Sequence, residues 1–239
     1  MRRVLAALAA LLVAAPAAAE IVAARYEGPT TRYPHGVLGD AVEHDTLAVT
    51  LADGTRQAAR RDAPLVFEDT APRLADLDGD GAAEVIVVEA HDEQGARLAV
   101  WGLREGRLAP LAATPFIGTR FRWLAPAGAG DLDGDGRAEI AYVDRPHLAR
   151  ILRVWRYLPD GPRLAPVAAL EGVTNHRIGE TDIAGGLRDC GQGPEIVVAD
   201  AGWRRLLAVT LSEGRLAARD IGPHAGRASF AAALACETG

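Results

Sequence analysis

Short apolar segments recur along this chain at nearly constant spacing. The pattern Leu-Ala-Val-Thr-Leu at 47–51 returns in similar form at 98–101, 152–155 and 207–211, at intervals of 51, 54 and 55 residues. Each copy follows a β-branched apolar run, at 37–43, 85–89, 140–144 and 196–200, and precedes a glycine turn, at Gly54, Gly106, Gly161 and Gly214. Short strands at regular spacing with glycine turns predict an all-β repeat protein.

We label the strands of one repeat A, B, C and D in chain order. The apolar runs are B, the Leu-Ala-Val segments are C, and the segments after the glycine turns are D. A fourth strand, A, is predicted at 71–75, 124–130 and 177–181. Four strands in about 50 residues match one blade of a β-propeller.

The chain therefore predicts one small β-propeller domain over 20–239, with four blades of four antiparallel strands. The repeats are 36–63, 64–114, 116–170 and 173–222. The first repeat lacks strand A, so segment 226–236 is predicted as a closing strand that pairs into the first blade. Residues 20–35 have no assigned place, and an additional edge strand is one option. The alternative fold is an open sandwich of the same strands.

The first residues indicate export. Arg2 and Arg3 precede an apolar run at 4–15, and Ala17-Ala18-Ala19 forms a small-residue cleavage site before Glu20. This predicts a signal peptide over 1–19 and a periplasmic or secreted protein. The alternative is an uncleaved anchor, and no later segment is long enough to span a bilayer.

The charge pattern argues against nucleic acid as a partner. The net charge is −6, every basic residue is arginine, and no basic cluster occurs. Arginine without lysine, together with abundant alanine, is typical of a GC-rich bacterial genome. We expect a monomer whose partner is an unidentified protein or glycan.

Two A–B loops carry the same acidic pattern, Asp-Leu-Asp-Gly-Asp-Gly-x-x-Glu. Several oxygens converging from a glycine-containing turn suit calcium, whereas the absence of His and Cys disfavours zinc or copper. The glutamate at position 9, before a strand, distinguishes these loops from EF-hands. We predict about two calcium ions, and the alternative is an ordinary acidic turn. The predicted ligands are Asp76, Asp78, Asp80, Glu84, Asp131, Asp133, Asp135 and Glu139, with the backbone carbonyls of Ala82 and Arg137.

This loop, followed by an apolar strand, resembles the FG-GAP/VCBS repeats of integrin-α-type propellers. The resemblance implies a propeller fold, calcium in the A–B loops and a role in extracellular recognition. The Phe-Gly and Gly-Ala-Pro signatures of that family are absent here, and four repeats are fewer than the seven integrin blades.

The third A–B loop keeps only Asp182 and Glu195 in comparable places, so we do not expect it to bind calcium. It contains Cys190, and Cys236 occupies the matching point after the final predicted strand. Since A–B loops of neighbouring blades lie side by side, we predict a Cys190–Cys236 disulfide, with two free thiols as the alternative.

Strand B ends in an acid in every repeat, on the face opposite the acidic loops. A histidine, or a tryptophan in the fourth repeat, follows this acid within three residues. Strand A begins on the same face. Such groups suit a polar ligand, although polar residues are also expected wherever strands meet water. The main hypothesis is a recognition or scaffold module. The alternative is a hydrolase or lyase using Asp144, Arg145, His147 and His176. The groups on this face are Glu43, Glu89, Asp144, Asp200, His44, His91, His147, Trp203, Glu68, Asp69, Arg122, Trp123, His176 and Arg177.

Overall fold

The computed structural model describes residues 20–161 and 163–237. The predicted signal peptide, residues 1–19, lies outside the described residues. Within them the chain forms seventeen strands and one helix, and every strand pairing is antiparallel. The predicted all-β class is therefore confirmed.

The elements are β1 (Ile21–Thr30), β2 (Glu43–Leu51), β3 (Arg56–Arg60), β4 (Leu65–Phe67), β5 (Arg73–Ala75), β6 (Glu84–His91), β7 (Gly95–Arg104), β8 (Arg107–Ala113), β9 (Leu124–Gly130), β10 (Glu139–Asp144), β11 (Ile151–Leu158), β12 (Arg163–Glu171), β13 (Val173–Thr174), β14 (Gly186–Asp189), β15 (Pro194–Asp200), β16 (Arg205–Ser212), β17 (Arg215–Pro223) and α1 (Arg227–Leu234).

Three units of the chain show the predicted A–B–C–D order. The second sheet has the order β12-β11-β10-β9, which is one complete repeat. In the third sheet β13-β15-β16-β17 gives the same order, with β14 as a second segment of strand A beside β15. Strands β4 to β8 repeat this arrangement inside the first sheet, where β4 and β5 both pair with β6.

The N-terminal strands β1, β2 and β3 belong to the first sheet. β1 pairs with β2 along almost its whole length, so residues 20–35 do supply an additional strand. β4 lies between β2 and β6, since His44 is opposite Phe67 and Phe67 is opposite Glu89. This short strand joins the N-terminal strands to the next repeat in one continuous sheet.

Apolar cores form between consecutive units. Val87 and Trp101 pack with Leu47 of the N-terminal strands. On the other face of the same unit, Val88 and Val100 pack with Tyr142 of the second sheet. A further cluster joins the second and third sheets. Because both faces of the central strands are buried, β6 and β10 are continuous apolar runs rather than alternating ones.

The closing strand predicted over 226–236 is wrong, because residues Arg227–Leu234 form α1. The helix contains four alanines, and alanine is the residue that most favours a helix. Phe230 and Ala233, three positions apart, face inward and pack against Ala184 and Val197 of the third sheet. The C-terminal segment therefore covers the third sheet and does not pair with the first repeat.

Two further predicted strands are also wrong. Residues 37–42 form turns and a bend, with Gly36 and Gly39 at positive φ, and β2 begins only at Glu43. Residues 177–181 lie in a loop that separates β13 from β14. Glycines 179 and 185 within that loop have φ of 86° and 81°, which an extended strand does not accommodate.

The predicted disulfide is present. Cys190 and Cys236 are bonded, with their Cα atoms 5.6 Å apart. The bond ties the residues after α1 to the turn after β14, so it anchors the helix to its own sheet. Among the described residues no helix is long and apolar enough to cross a membrane.

Candidate functional site

The two acidic loops have nearly identical geometry at the same ends of β6 and β10. In each loop, one carboxylate oxygen from each of three acids lies within 4.8 Å of the other two, a grouping that could hold a metal ion. The first trio is Asp76, Asp78 and Glu84, and the second is Asp131, Asp133 and Glu139. In both trios the glutamate is buried at the start of a strand and the first aspartate is exposed.

Backbone amides shape each loop around its first aspartate. The Asp76 carboxylate accepts hydrogen bonds from the amides of Gly79 and Gly81, at 2.7 and 3.0 Å. Asp131 accepts from Gly134 and Gly136, at 2.8 and 2.9 Å. All four glycines have φ between 77° and 89°, a region that other residues rarely adopt, so the glycines allow this tight turn.

The other predicted ligands lie outside the two trios. Asp80 accepts the amide hydrogen of Ala82 at 2.8 Å, and Asp135 accepts that of Arg137 at 3.0 Å. These bonds fix the second half of each loop. The role of the Ala82 and Arg137 carbonyls as ligands stays a prediction.

Arg156 distinguishes the two loops. It lies opposite Glu139 in the pairing of β10 with β11, and it forms ion pairs with Asp133 at 2.7 Å and Asp135 at 2.9 Å. The corresponding position in the first loop is Gly102, which follows Trp101 as Arg156 follows Trp155. The second loop therefore contains the positive charge of the Arg156 guanidinium, whereas Gly102 supplies no charge to the first loop.

The electrostatics of the two loops reflect this difference. Burial, with the neighbouring aspartates, raises the pKa of Glu84 to about 7, and burial also raises the pKa of Asp78. Burial raises the pKa of Glu139 as well, while the bond from Arg156 opposes the rise. Asp133 Oδ1 is buried without a hydrogen-bond partner among the described atoms. Clustered, under-compensated carboxylate oxygens of this kind fit a hard cation.

The third A–B loop has a different organisation. Glu195 is paired with Arg188 at 2.7 Å and with Arg219 at 2.9 Å. Asp182 instead pairs with Arg227 of α1 at 2.7 Å. The two acids retained from the pattern are thus held by different arginines, and that this loop does not bind calcium stays a prediction.

At the opposite ends of the strands, three of the four predicted acids have partners. Glu89 is fully buried and is paired with Arg97 at 2.7 Å. Asp144 is paired with Arg145 and Arg153, at 2.7 and 2.9 Å. Asp200 accepts the backbone amides of 204 and 205, at 2.6 and 2.7 Å.

Glu43 is the exception. Its side chain is buried, yet it makes no hydrogen bond or ion pair within the described part of the chain. Burial, reinforced by the nearby Glu68 and Asp40, raises its pKa to about 9. Glu43 is therefore a neutral acid at physiological pH.

The histidines of this face do not gather into one cluster. His44 stacks on Tyr26, with ring centroids 5.9 Å apart, and His91 meets Phe116 edge-on at 5.5 Å. His147 contacts His176 through ring nitrogens 3.1 Å apart. The four enzyme candidates thus form two pairs, Asp144 with Arg145 and His147 with His176.

Other predicted residues of this face also have defined neighbours. Asp69 pairs with Arg73 at 2.6 Å, and the Arg177 guanidinium lies 4.3 Å from the Trp203 ring centroid. The buried Glu68 bonds to His35 through Oε1, and its backbone carbonyl accepts the indole hydrogen of Trp123 at 2.8 Å.

A cleft of about 280 Å³ opens among these residues. Its walls include Arg122, Trp123, Arg145 and His147, which the sequence placed on this face, together with His35 and Phe121. Sequence reasoning missed His35 because residues 20–35 had no assigned place in the repeat. It also missed Arg156, although antiparallel pairing of strands B and C places the residue after Trp155 opposite Glu139.

Comparison with known families identifies one repeat. Residues 76–142 match the family model described as FG-GAP-like repeat. The match contains both acidic loops and the strands between them, so this segment is similar to an FG-GAP-type repeat. No curated protein matches the chain.

Proposed function

We propose, from the FG-GAP-like repeat and the geometry of its two loops, that this chain is an exported, calcium-binding β-propeller that acts as a recognition module. The observation that carries the proposal is the pair of three-acid clusters inside the matched segment. Two independent loops converge on the same arrangement of two aspartates and one buried glutamate, which an ordinary surface turn does not require.

Calcium is the ion that best fits these donors. The clusters offer only oxygen atoms, and calcium takes six to eight of them with flexible geometry. Nearby carbonyls and water would complete the shell around the three acids. Magnesium demands a stricter octahedral arrangement, and zinc favours nitrogen and sulfur.

The propeller architecture is supported by three units of A–B–C–D strand order that pack face to face in chain order. Export is supported by the N-terminal sequence pattern and by the Cys190–Cys236 bond, since disulfides persist in oxidising compartments. We propose a monomer that recognises a protein or a glycan.

Binding is favoured over catalysis by the state of the enzyme candidates. Asp144 is held by two arginines, which keep its oxygens engaged. His147 is directed toward His176 and not toward Asp144. Within the described residues no side-chain hydrogen bond or ion pair joins the Asp144–Arg145 pair to the His147–His176 pair.

Calcium titration with metal counting, alongside thermal unfolding in calcium and in chelator, tests the proposal. We expect about two ions per chain. A site with a dissociation constant of about 10 μM would add roughly 2.7 kcal/mol of stability in millimolar calcium, which raises the unfolding temperature by several degrees. No binding and no shift would show that the loops are ordinary turns.

Single-loop variants sharpen the test. Asp78→Asn and Asp133→Asn should each remove one ion, whereas the exposed Glu93→Gln, outside both loops, should remove none. Arg156→Met should tighten the second site about tenfold, because calcium no longer displaces a guanidinium held by charge-assisted bonds. Equal affinity with and without Arg156 would refute that competition.

A further inference from the structure

The cleft at the ends of the strands away from the acidic loops has the composition of a ligand site. It encloses about 280 Å³, enough for one amino-acid-sized group. β10 runs from Glu139 in the second acidic loop to Asp144, directly before Arg145 in the cleft wall. The cleft is therefore separate from both metal loops.

Arg122 provides an uncommitted positive charge in this wall. It is half-buried, and across residues 20–161 and 163–237 its guanidinium has no ion pair or side-chain hydrogen bond. Arg145, the other guanidinium in the wall, is held by Asp144 through Nε and Nη2. A half-buried guanidinium without an acid favours a carboxylate ligand, which it can bind through two parallel bonds.

Apolar surface adjoins this charge. The Phe121 ring stacks on His35 with centroids 4.9 Å apart, and Trp123 is buried and oriented by its bond to the Glu68 carbonyl. At the rim, Leu148 and Ile178 are 62% and 72% exposed, so both side chains present apolar surface to the solvent. The apolar rim and rings suit a hydrophobic group attached to the carboxylate.

The two imidazoles leave polar positions for the ligand. Since the Glu180 carbonyl can only accept, His176 Nε2 donates to it at 2.9 Å, and His176 Nδ1 therefore accepts from His147 Nε2 at 3.1 Å. His147 Nδ1 then carries a free lone pair. Burial lowers the pKa of His35 and of His147 to about 4, so both rings are neutral at physiological pH and add no charge beside Arg122.

We infer that this cleft binds an organic carboxylate with an apolar or aromatic body and a neighbouring N–H or O–H donor. Arg122 holds the carboxylate, Phe121, Leu148 and Ile178 cover the apolar body, and His147 Nδ1 accepts the donor. A peptide C-terminal residue and a free acylated amino acid share this chemistry. The inference rests on the proposed recognition function but requires neither calcium loop.

Calorimetric titration of the full chain with N-acetyl-phenylalanine tests the site. We expect measurable binding, and at least tenfold weaker binding of N-acetyl-phenylalanine amide, which keeps the apolar body but lacks the charge. Phenylpropionate, which lacks the N–H group, should bind several-fold more weakly. A pentapeptide ending in phenylalanine that binds more tightly identifies a peptide terminus as the source, and equal affinity identifies a short free acid.

Variants of Arg122 supply the residue-level test. Arg122→Gln should weaken binding by about 10- to 100-fold, and Arg122→Lys should retain part of it. Arg107→Gln, an exposed arginine at the start of β8, should bind as the unsubstituted chain does.

Three results would overturn the inference: equal binding of acid and amide, unchanged binding by Arg122→Gln, or no binding of any probe up to about 10 mM. Calcium-dependent unfolding is measured on the same samples. A chain that binds no probe but keeps its calcium shift would refute the carboxylate site and leave the metal proposal standing.

Discussion

Glu43→Gln should stabilise the protein at alkaline pH. Glu43 is 3% exposed, and the pKa of its carboxyl group is raised from 4.5 to about 9 by burial and by nearby acids. The folded state therefore binds a proton that the unfolded state has released. Because the folded pKa is the higher one, stability is lost as the pH rises from about 4.5 to about 9.

The size of the effect follows from the pKa difference. At pH 8 the Glu43 carboxyl group of the unfolded chain is about 3.5 pH units above its ordinary pKa of 4.5. Its deprotonation therefore stabilises the unfolded state by roughly 5 kcal/mol, at about 1.4 kcal/mol per unit. Near pH 5 the same quantity is below about 1 kcal/mol. Glutamine has no proton to take up, so Glu43→Gln should gain on the order of 4 kcal/mol at pH 8 relative to pH 5.

Denaturant unfolding of both proteins at the two pH values measures this difference. The cleft histidines titrate over the same range in both chains, so comparison at each pH removes their contribution. Glu93→Gln, on the exposed loop after β6, provides the matched control and should show no such difference. A gain from Glu43→Gln that is equal at both pH values, or a loss at pH 8, would refute a buried protonated acid.

The disulfide and one glycine give two more predictions. Replacing both Cys190 and Cys236 by serine should cost about 3–4 kcal/mol, because the bond closes a loop across a sequence separation of 46, and an unfolding midpoint equal to that of the oxidised parent would contradict this. Gly185→Ala should cost about 2–4 kcal/mol, since φ is +81° and the new Cβ would lie 2.0 Å from the Val197 carbonyl oxygen. Gly179→Ala, in the same loop with φ of +86° and open space around it, should cost only about 1 kcal/mol, and equal losses in thermal unfolding would refute the steric argument.

The repeat pattern predicted the central strands well because their residues are buried on both faces. β6, β10 and β15 contain the predicted B strands, and β8, β12 and β17 follow the glycine turns where the D strands are predicted. In these segments the local pattern and the tertiary environment agree. The acidic loops were equally predictable, because their geometry is set by residues close together in the sequence.

The errors occurred where a short apolar run suits more than one structure. The segment at 228–235 is apolar enough for a strand, but its alanines favour a helix once Phe230 and Ala233 can bury against the third sheet. Residues 37–42 form turns and a bend, and from there the Val37 side chain packs into the core that contains Ile86. The cleft depends on contacts between distant residues, such as His35 with Glu68, which no local pattern records.

The helical C-terminus has a consequence for β1. Within the described chain this ten-residue strand pairs only with β2, so its other side presents unpaired backbone groups. Such an edge can recruit a strand from another molecule and begin aggregation. β1 contains features that oppose this: a register irregularity between Ile21 and Ala23, a positive φ at Gly28, Pro29 near its end, and the Arg25–Glu27 ion pair on its surface. Together they make the outer edge of β1 irregular and charged, a poor template for intermolecular strand pairing.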